Sequence, residues 1–336
     1  MNRDGVNRRV VARWMICIIV ALVAQLPACV GPASCSHTAD VSDRNAEQTA
    51  RSVFVDASDP FSRGVLAVRS LDVASCELGA PTAMRIHVPE EADDFPVIVF
   101  QHGFMTRNSG YDEILQHVAS HGFVVVAPQM YEPGIGPLLG NPTAAAEAEL
   151  AGDVLGWISQ RLQEVIGFDA RADRIGIAGH SRGGKVAWLM AAANRERFLA
   201  IAGIDPVDGA GGPLGNQARV VQGQFSFSIP ALIIGTELGG SCAPAGDNHV
   251  QFYAASQPPA WHFVAVNQGH GDMLDETEAK AAAMFCASGP DRAGMRRLTG
   301  GLLTAFFRAA LQDDASSYSY LSGQAATPIP VLAEGK

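Results

Sequence analysis

The sequence has little charge and lacks the patterns that hold a metal ion or a nucleotide. Charged residues make up only 17% of its 336 residues, and acidic ones outnumber basic ones by 34 to 24. This balance argues against nucleic acid as a partner, because nucleic-acid-binding domains carry an excess of basic side chains. None of the six cysteines forms a C-x-x-C pair of the zinc-binding kind. No glycine-rich dinucleotide fingerprint occurs either, so we expect neither a metal nor a cofactor.

The N-terminus has the pattern of an export signal. Four arginines precede an apolar run at residues 14–26, and the small residue Ala28 comes directly before Cys29. The run is short for a membrane-spanning anchor, which is the alternative reading. Leu-Pro-Ala-Cys at 26–29 is similar to the lipidation signal of bacterial lipoproteins. We therefore expect an exported protein that is either attached to a membrane through lipidated Cys29 or simply secreted.

Four further cysteines lie in the body of the chain, and an oxidising compartment would allow them to form two disulfides. They are Cys35, Cys76, Cys242 and Cys286. We expect Cys242 to pair with Cys286, since both fall in loops that flank the last core strand. Cys35 would then pair with Cys76 by default, and buried free thiols are the alternative.

Short apolar runs alternate with helical patterns along the rest of the chain. A hydrophobic content of 48% is enough to bury a large core. The alternation predicts an α/β fold with a doubly wound, mostly parallel sheet and helices on both faces. Strands are predicted at 64–73, 82–88, 96–100, 123–127, 174–178, 199–204, 230–235 and 261–266, and helices at 111–121, from 141 to about 165, and at 186–193.

One turn in this pattern carries a chemical signature. Gly179-His180-Ser181-Arg182-Gly183 follows the apolar strand at 174–178 and precedes a helix of small residues. This G-x-S-x-G arrangement is typical of the nucleophile elbow of the α/β-hydrolase fold, in which a tight turn exposes the serine hydroxyl. The same stretch nearly forms a phosphate-binding G-x-x-x-x-G-K loop. However, Val186 occupies the position where that loop needs Ser or Thr to hold magnesium.

The ends of other predicted strands offer partners for this serine. His270 follows the last core strand and comes after Ser181 in chain order, as the general base of this fold does. Three acids are candidates for the residue that orients the base. Glu237 follows the next-to-last strand, while Asp205 and Asp208 follow the strand before it. Asp205 is preferred, because it directly follows the end of the predicted strand at 199–204.

A His-Gly pair follows the predicted strand at 96–100, where this fold places half of its oxyanion hole. We expect the backbone N–H groups of Phe104 and Arg182 to bind the oxyanion. We also expect His102 and Gly103 to contact the substrate. Tyr131, in the Pro- and Gly-rich loop after the next strand, is expected to line part of an apolar groove.

Six short motifs, considered together, are more specific than the elbow alone. They are Gln-His-Gly-Phe at 101–104, Gly-His-Ser-Arg-Gly-Gly-Lys at 179–185, Gly-Ile-Asp-Pro-Val-Asp-Gly at 203–209, Cys-Ala-Pro at 242–244, Ala-Trp-His-Phe-Val-Ala at 260–265 and Gly-His-Gly-Asp-Met-Leu-Asp at 269–275. With these motifs the chain resembles the chlorophyllase family over about residues 57–312. The resemblance implies an α/β-hydrolase that cleaves the phytyl ester of chlorophyll to chlorophyllide and phytol without a cofactor. The family's triad, carried over position by position, falls on Ser181, Asp205 and His270.

We therefore expect four segments: an export signal at 1–28, a flexible tether at 29–56, a catalytic domain at 57–312 and a C-terminal tail at 313–336. The predicted function is that of a serine ester hydrolase acting on a hydrophobic ester, with chlorophyll as the expected substrate. The first alternative is an exported carboxylesterase of broad specificity for lipids or polyesters. The second is a noncatalytic binder of lipids or tetrapyrroles.

Overall fold

A nine-stranded mixed sheet organises the residues that the computed structural model describes, which are 59–139, 141–209 and 217–336. The strand order is β1-β2-β4-β3-β5-β6-β7-β8-β9. The six central strands pair in parallel, while β1, β2 and β9 pair antiparallel with their neighbours. The strands are β1 (Val68–Val73), β2 (Met84–Pro89), β3 (Pro96–Gln101), β4 (Val124–Pro128), β5 (Arg171–His180), β6 (Ala200–Ile204), β7 (Ala231–Leu238), β8 (Ala260–Gly269) and β9 (Val331–Gly335).

Helices cover both faces of this sheet, which is why the central strands are apolar throughout. Strand β3 shows the arrangement: Val97 and Val99 belong to the core on one face, and Ile98 and Phe100 to the core on the other. The predicted mostly parallel sheet with helices on both faces is confirmed. The helices are α1 (Asp112–Ala119), α2 (Ile135–Leu138), α3 (Ala144–Ile166), α4 (Arg182–Ala193), α5 (His249–Ala255), α6 (Glu276–Ala282) and α7 (Arg292–Leu311), with 3₁₀ turns at Glu77–Gly79, Asn108–Tyr111, Arg195–Arg197 and Ala315–Ser322.

Helix α3 begins three residues later than the expected start at 141. Thr143 is its N-cap, and the threonine hydroxyl accepts a hydrogen bond from the backbone N–H of Ala146 at 3.1 Å. A side-chain oxygen at this position satisfies a helix N–H that has no intrahelical acceptor. The helix ends at Ile166, and its C-cap Gly167 takes the left-handed conformation with φ 85°.

The C-terminal segment departs from the expectation of a tail. Strand β9 pairs with β8 from Trp261 opposite Gly335 to Ala265 opposite Val331, so residues 331–335 form one edge of the sheet. Four of the five β9 residues are exposed. The apolar residues of β9 are limited to Val331, Leu332 and Ala333, a run too short to predict a strand.

The predicted disulfide between Cys242 and Cys286 is confirmed, with Cα atoms 5.6 Å apart. Cys76 is disulfide-bonded as well. Cys35, its expected partner, lies outside the described residues, as do Cys29, the export signal and the tether. No helix in the described part of the chain is both long enough and apolar enough to span a membrane.

Candidate active site

The turn around Ser181 is as tight as the glycine spacing predicts. Ser181 lies alone between β5 and α4 with φ 55° and ψ −121°, a conformation that costs energy for a residue with a side chain. A Cβ atom on Gly179 would lie 2.2 Å from the carbonyl oxygen of Gly183, and one on Gly183 would lie 2.2 Å from that of Gln101. Both glycines are therefore required by the close approach of backbone segments.

Three predicted site residues form one hydrogen-bonded line. The Oγ atom of Ser181 lies 2.8 Å from Nε2 of His270, and Nδ1 of His270 lies 2.7 Å from Oδ2 of Asp205. All three residues are buried. Because a carboxylate only accepts, Nδ1 of the neutral ring donates to Asp205, and Nε2 is left to accept the serine proton.

Asp205 is held as a carboxylate by its neighbours on β7. It accepts hydrogen bonds from the backbone N–H of Thr236 at 3.2 Å and from the Thr236 hydroxyl at 2.7 Å. Burial disfavours the charged form, but the contact with His270, the charge of His249 and the Thr236 hydroxyl outweigh it and lower the pKa of Asp205. The side chain that faces His270 is therefore negatively charged.

The two other candidate acids have different partners. Glu237 is exposed at the end of β7, where it accepts a backbone hydrogen bond from β8 at 2.7 Å. Asp208 is buried and forms an ion pair with Lys185 at 3.0 Å. It also accepts hydrogen bonds of 2.9 Å from the backbone N–H groups of Val220 and Val221. Of the three acids, it is Asp205 that the fold brings to His270.

The loop after β3 packs directly against the elbow. A Cβ atom on Gly103 would lie 2.9 Å from Nδ1 of His180 and 3.4 Å from Cβ of Ser181. Phe104 comes next, and no acceptor among the described residues takes its backbone N–H. Arg182 opens helix α4, so its N–H belongs to a helix N-terminus, where the dipole favours negative charge. Both expected oxyanion donors thus lie on segments that adjoin the serine.

Tyr111 and His180 tie these segments together. The Tyr111 hydroxyl accepts from the backbone N–H of Gly103 at 2.9 Å and donates to Nδ1 of His180 at 2.8 Å. Nε2 of His180 donates to the carbonyl oxygen of His270 at 3.0 Å. Burial lowers the pKa of His180 to about 3, so its ring stays neutral. No sequence pattern marks Tyr111, whereas His180 stands inside the elbow motif itself.

His102, which the sequence predicts to contact the substrate, is buried and has protein partners at both ring nitrogens. Its Nδ1 donates to the carbonyl oxygen of Gly103 at 2.9 Å, and its Nε2 accepts from the backbone N–H of Met130 at 3.0 Å. Burial lowers the pKa of His102 to about 4, which keeps the ring neutral. Because both ring nitrogens have protein partners, His102 connects the loops after β3 and β4.

Tyr131, by contrast, lies at the rim of the site. Its ring and that of Phe104 lie 5.6 and 5.8 Å from the guanidinium carbon of Arg182, within cation–π distance. Nε of Arg182 donates to Glu147 of helix α3 at 2.7 Å. Burial raises the pKa of Glu147 to about 7, against the opposing effect of the arginine. This buried pair attaches the first residue of α4 to α3.

The arrangement places a serine hydroxyl beside an imidazole that a carboxylate orients, a geometry that suits acyl transfer. No group of three or more metal-ligating side chains is assembled within the described ranges. The model of the family described as chlorophyllase matches residues 56–333, well over half of the chain. The chain belongs to the chlorophyllase family. It is accordingly an ester hydrolase with the α/β-hydrolase fold.

Curated plant chlorophyllases are similar to this family member over most of their own length. Chlorophyllase-2 of Arabidopsis thaliana is 34% identical over 257 residues, which cover 70% of this chain and 79% of the relative. Chlorophyllase-1 of Citrus unshiu, described as chloroplastic, is 35% identical over 277 residues, covering 77% and 82%. Chlorophyllase type 0 of Chenopodium album is 34% identical over 303 residues, covering 83% and 86%.

Proposed function

We propose that this chlorophyllase-family hydrolase cleaves the phytyl ester of chlorophyll, with Ser181, His270 and Asp205 as its catalytic residues. The observation that carries the proposal is the line of two short hydrogen bonds, 2.8 and 2.7 Å, that joins these side chains at the elbow. The similarity to plant proteins named chlorophyllases supports the choice of ester.

The reaction proceeds in two acyl-transfer steps. His270 takes the proton of Ser181 as its Oγ bonds to the ester carbonyl carbon, and Asp205 stabilises the resulting imidazolium. The oxyanion accepts hydrogen bonds from the backbone N–H groups of Phe104 and Arg182. The C–O bond to phytol then breaks, and His270 protonates the departing alcohol. A water molecule, activated by His270, hydrolyses the acyl-enzyme and releases chlorophyllide.

We assign the binding of the apolar phytyl chain to the loop after β4. This loop exposes three large apolar side chains close together in the sequence, Ile135 at 64%, Leu138 at 36% and Leu139 at 57%, which offers a surface to an apolar ligand. Tyr131 at its start lies next to the elbow, with its hydroxyl 3.4 Å from the carbonyl oxygen of Gly103. A long isoprenoid chain can therefore extend from the reacting carbon along an apolar surface.

The test compares the full-length protein and its Ser181→Ala variant on chlorophyll a and on p-nitrophenyl butyrate. We expect the protein to release phytol and nitrophenol, and the variant to lose turnover by a factor on the order of 10⁶. Ser226→Ala, at an exposed serine remote from the elbow, is the matched control and should retain full activity.

Each other outcome contradicts a different part of the proposal. Cleavage of the small ester alone would reject chlorophyll and point to an esterase of broad specificity. Normal turnover by Ser181→Ala would reject the assigned nucleophile. Lack of turnover on both esters, together with no labelling by a serine-directed phosphonate, would indicate a binding protein.

The N-terminal pattern leads to a separate proposal, that the protein is exported and carries lipid on Cys29. The support is the sequence alone: an arginine-rich start, an apolar run at 14–26 and a small residue before the cysteine. We expect labelled palmitate to enter the full-length protein but not Cys29→Ser, with Cys17→Ser as the matched control. Equal labelling of both variants would contradict lipidation at Cys29.

A further inference from the structure

A second line of titratable side chains leads from Asp205 towards the protein surface. Nε2 of His249 lies 4.0 Å from Oδ1 of Asp205, the carboxylate oxygen that does not face His270. Nδ1 of His249 lies 2.8 Å from Nε2 of His262, and Nδ1 of His262 lies 2.8 Å from Oε1 of Glu334. The two histidine side chains are buried, whereas that of Glu334 is 62% exposed. The mechanism above uses none of these three residues.

Several separate elements of the fold build this line. His249 opens helix α5, where Asn248 forms a capping box that fixes the helix start. His262 lies on β8 directly opposite Glu334 on β9, so the two side chains form a cross-strand pair. Gly235 on β7 makes room for the inner ring, because a Cβ atom there would lie 2.3 Å from Nδ1 of His249.

Only a few charged or titratable groups among the described residues act on the rings of His249 and His262. The ring of Tyr253 stacks on that of His262 with centroids 4.8 Å apart. Nζ of Lys336 lies 4.6 Å from the centroid of the Tyr253 ring. Burial lowers the pKa of both histidines, and the carboxylates of Asp205 and Glu334 oppose this effect. The titratable groups that face His249 are Asp205, His262 and His270, and those that face His262 are His249, Glu334 and Asp205.

Proton counting shows what this geometry requires. A neutral imidazole carries one ring proton, so two neutral rings carry two. Two contacts lie within hydrogen-bond distance and need one proton each: the contact between the rings and the side of His262 towards Glu334. Nδ1 of His249 and Nδ1 of His262 donate in these contacts, so Nε2 of His249 keeps a lone pair directed at Asp205, 4.0 Å away. A third proton on this nitrogen places a positive charge beside the Asp205 carboxylate.

We infer that His249 and His262 take up this third proton as the pH falls and act as positioning residues for the triad, setting through Asp205 how strongly His270 holds its own proton. A positive charge on the pair competes with His270 for the negative charge of Asp205. The protonated pair therefore weakens the support that Asp205 gives to the His270 imidazolium. In its catalytic consequence, this inference rests on the function proposed above.

The first test replaces Glu334 by Gln, which removes the outer carboxylate from an exposed position. The histidine pair then releases its extra proton more readily, and His270 retains its proton to higher pH. We expect the titration midpoint of the His270 ring to rise by about 0.5 pH unit, since charges near a protein surface interact at this scale. NMR of protein labelled with ¹³C and ¹⁵N histidine follows the ring directly, and His270→Gln identifies its signal.

His249→Gln removes the member of the histidine pair that lies nearer to Asp205. It should raise the titration midpoint of His270 further, by about one pH unit. On p-nitrophenyl butyrate, kcat/KM on the acid side should fall about threefold in Glu334→Gln and about tenfold in His249→Gln, because more of His270 is protonated there. A role limited to packing would lower activity at all pH values without moving this profile.

Glu91→Gln is the matched control, since it removes one exposed carboxylate just after β2. It should leave the His270 midpoint in place. An unchanged midpoint in folded Glu334→Gln would overturn the inference, whether or not His249→Gln folds. The NMR titration needs no substrate, so a midpoint that shifts in a protein inactive on both esters would reject the proposed function while supporting the histidine pair.

Discussion

Single residues in this site take conformations that only their surroundings make stable. Ser181 has φ 55° and Asp205 has φ 40°, both in the left-handed region that side chains rarely adopt. Ser181 is held by the two glycine contacts of the elbow, and Asp205 by its backbone hydrogen bond to Ile234 and its side-chain bonds to Thr236. Strain of this kind concentrates at functional sites.

Single substitutions can test which acid, Asp205 or Glu237, orients His270. Asp205→Asn should lower kcat on p-nitrophenyl butyrate by roughly 10⁴, because an amide facing Nδ1 favours the wrong tautomer of His270. Glu237→Gln is the matched control and should stay within about twofold of the parent, since Glu237 is exposed and bonds to β8. The reverse result would assign the acid to Glu237.

Among the elements, β5 and α4 depend on glycines at closely defined places. Gly183 on α4 faces the carbonyl oxygens of both Gln101 and His102, at 2.2 and 2.5 Å from where its Cβ atom would lie. Gly156 on α3 is different, because nothing lies within 4 Å of its Cβ position. The same residue type therefore has a packing role in one helix and none in the other.

Gly183→Ala and Gly156→Ala form a matched pair of substitutions. Gly183→Ala should push α4 away from β3, lowering both the free energy of unfolding and esterase activity. Gly156→Ala should raise the free energy of unfolding by about 0.5–1 kcal/mol, because alanine loses less backbone entropy in a helix. Denaturant titration and p-nitrophenyl butyrate turnover measure both effects. An active, stable Gly183→Ala protein would contradict the assigned elbow packing.

Across the whole molecule, buried histidines link stability to pH. Burial lowers the pKa of His87 and His102 to about 4 and that of His121 and His180 to about 3. The unfolded chain then binds more protons than the folded protein below the ordinary histidine value of about 6.5. Two carboxyl groups act in the opposite sense, because burial raises the pKa of Glu147 to about 7 and that of Asp275 to about 6.

The balance predicts a loss of stability in acid. Four histidines at up to about 2 kcal/mol each outweigh the two carboxyl groups, of which Asp275 is partly exposed and counts for less. The free energy of unfolding should therefore fall by roughly 4–5 kcal/mol from pH 7 to pH 5. Urea titrations at the two pH values measure this difference. His121→Gln, which keeps a donor for the carbonyl of Ser62, should reduce it by up to about 2 kcal/mol. Equal stability at both pH values would contradict the linkage.

Much of the fold was predictable, because local patterns carry it. Both β3 and β4 are buried on two faces and show continuous apolar runs, so their positions follow from the sequence to within a residue or two. By contrast, β9 is an exposed edge strand whose only strong constraint is its pairing with β8. A pairing between distant segments leaves no periodicity in the segment itself, which is why this strand was missed.

The sequence by itself determined the elbow at Ser181, the order of strands and helices, and the placement of His270 after the last core strand, since each depends on contiguous residues. Only the tertiary structure brought Asp205 rather than Glu237 to His270, gave both ring nitrogens of His102 protein partners, and aligned His249 and His262 with Glu334. Those outcomes depend on which strands are neighbours and which side chains meet across them. Contacts between residues tens of positions apart, such as the 65 that separate Asp205 from His270, exist only once the chain has folded.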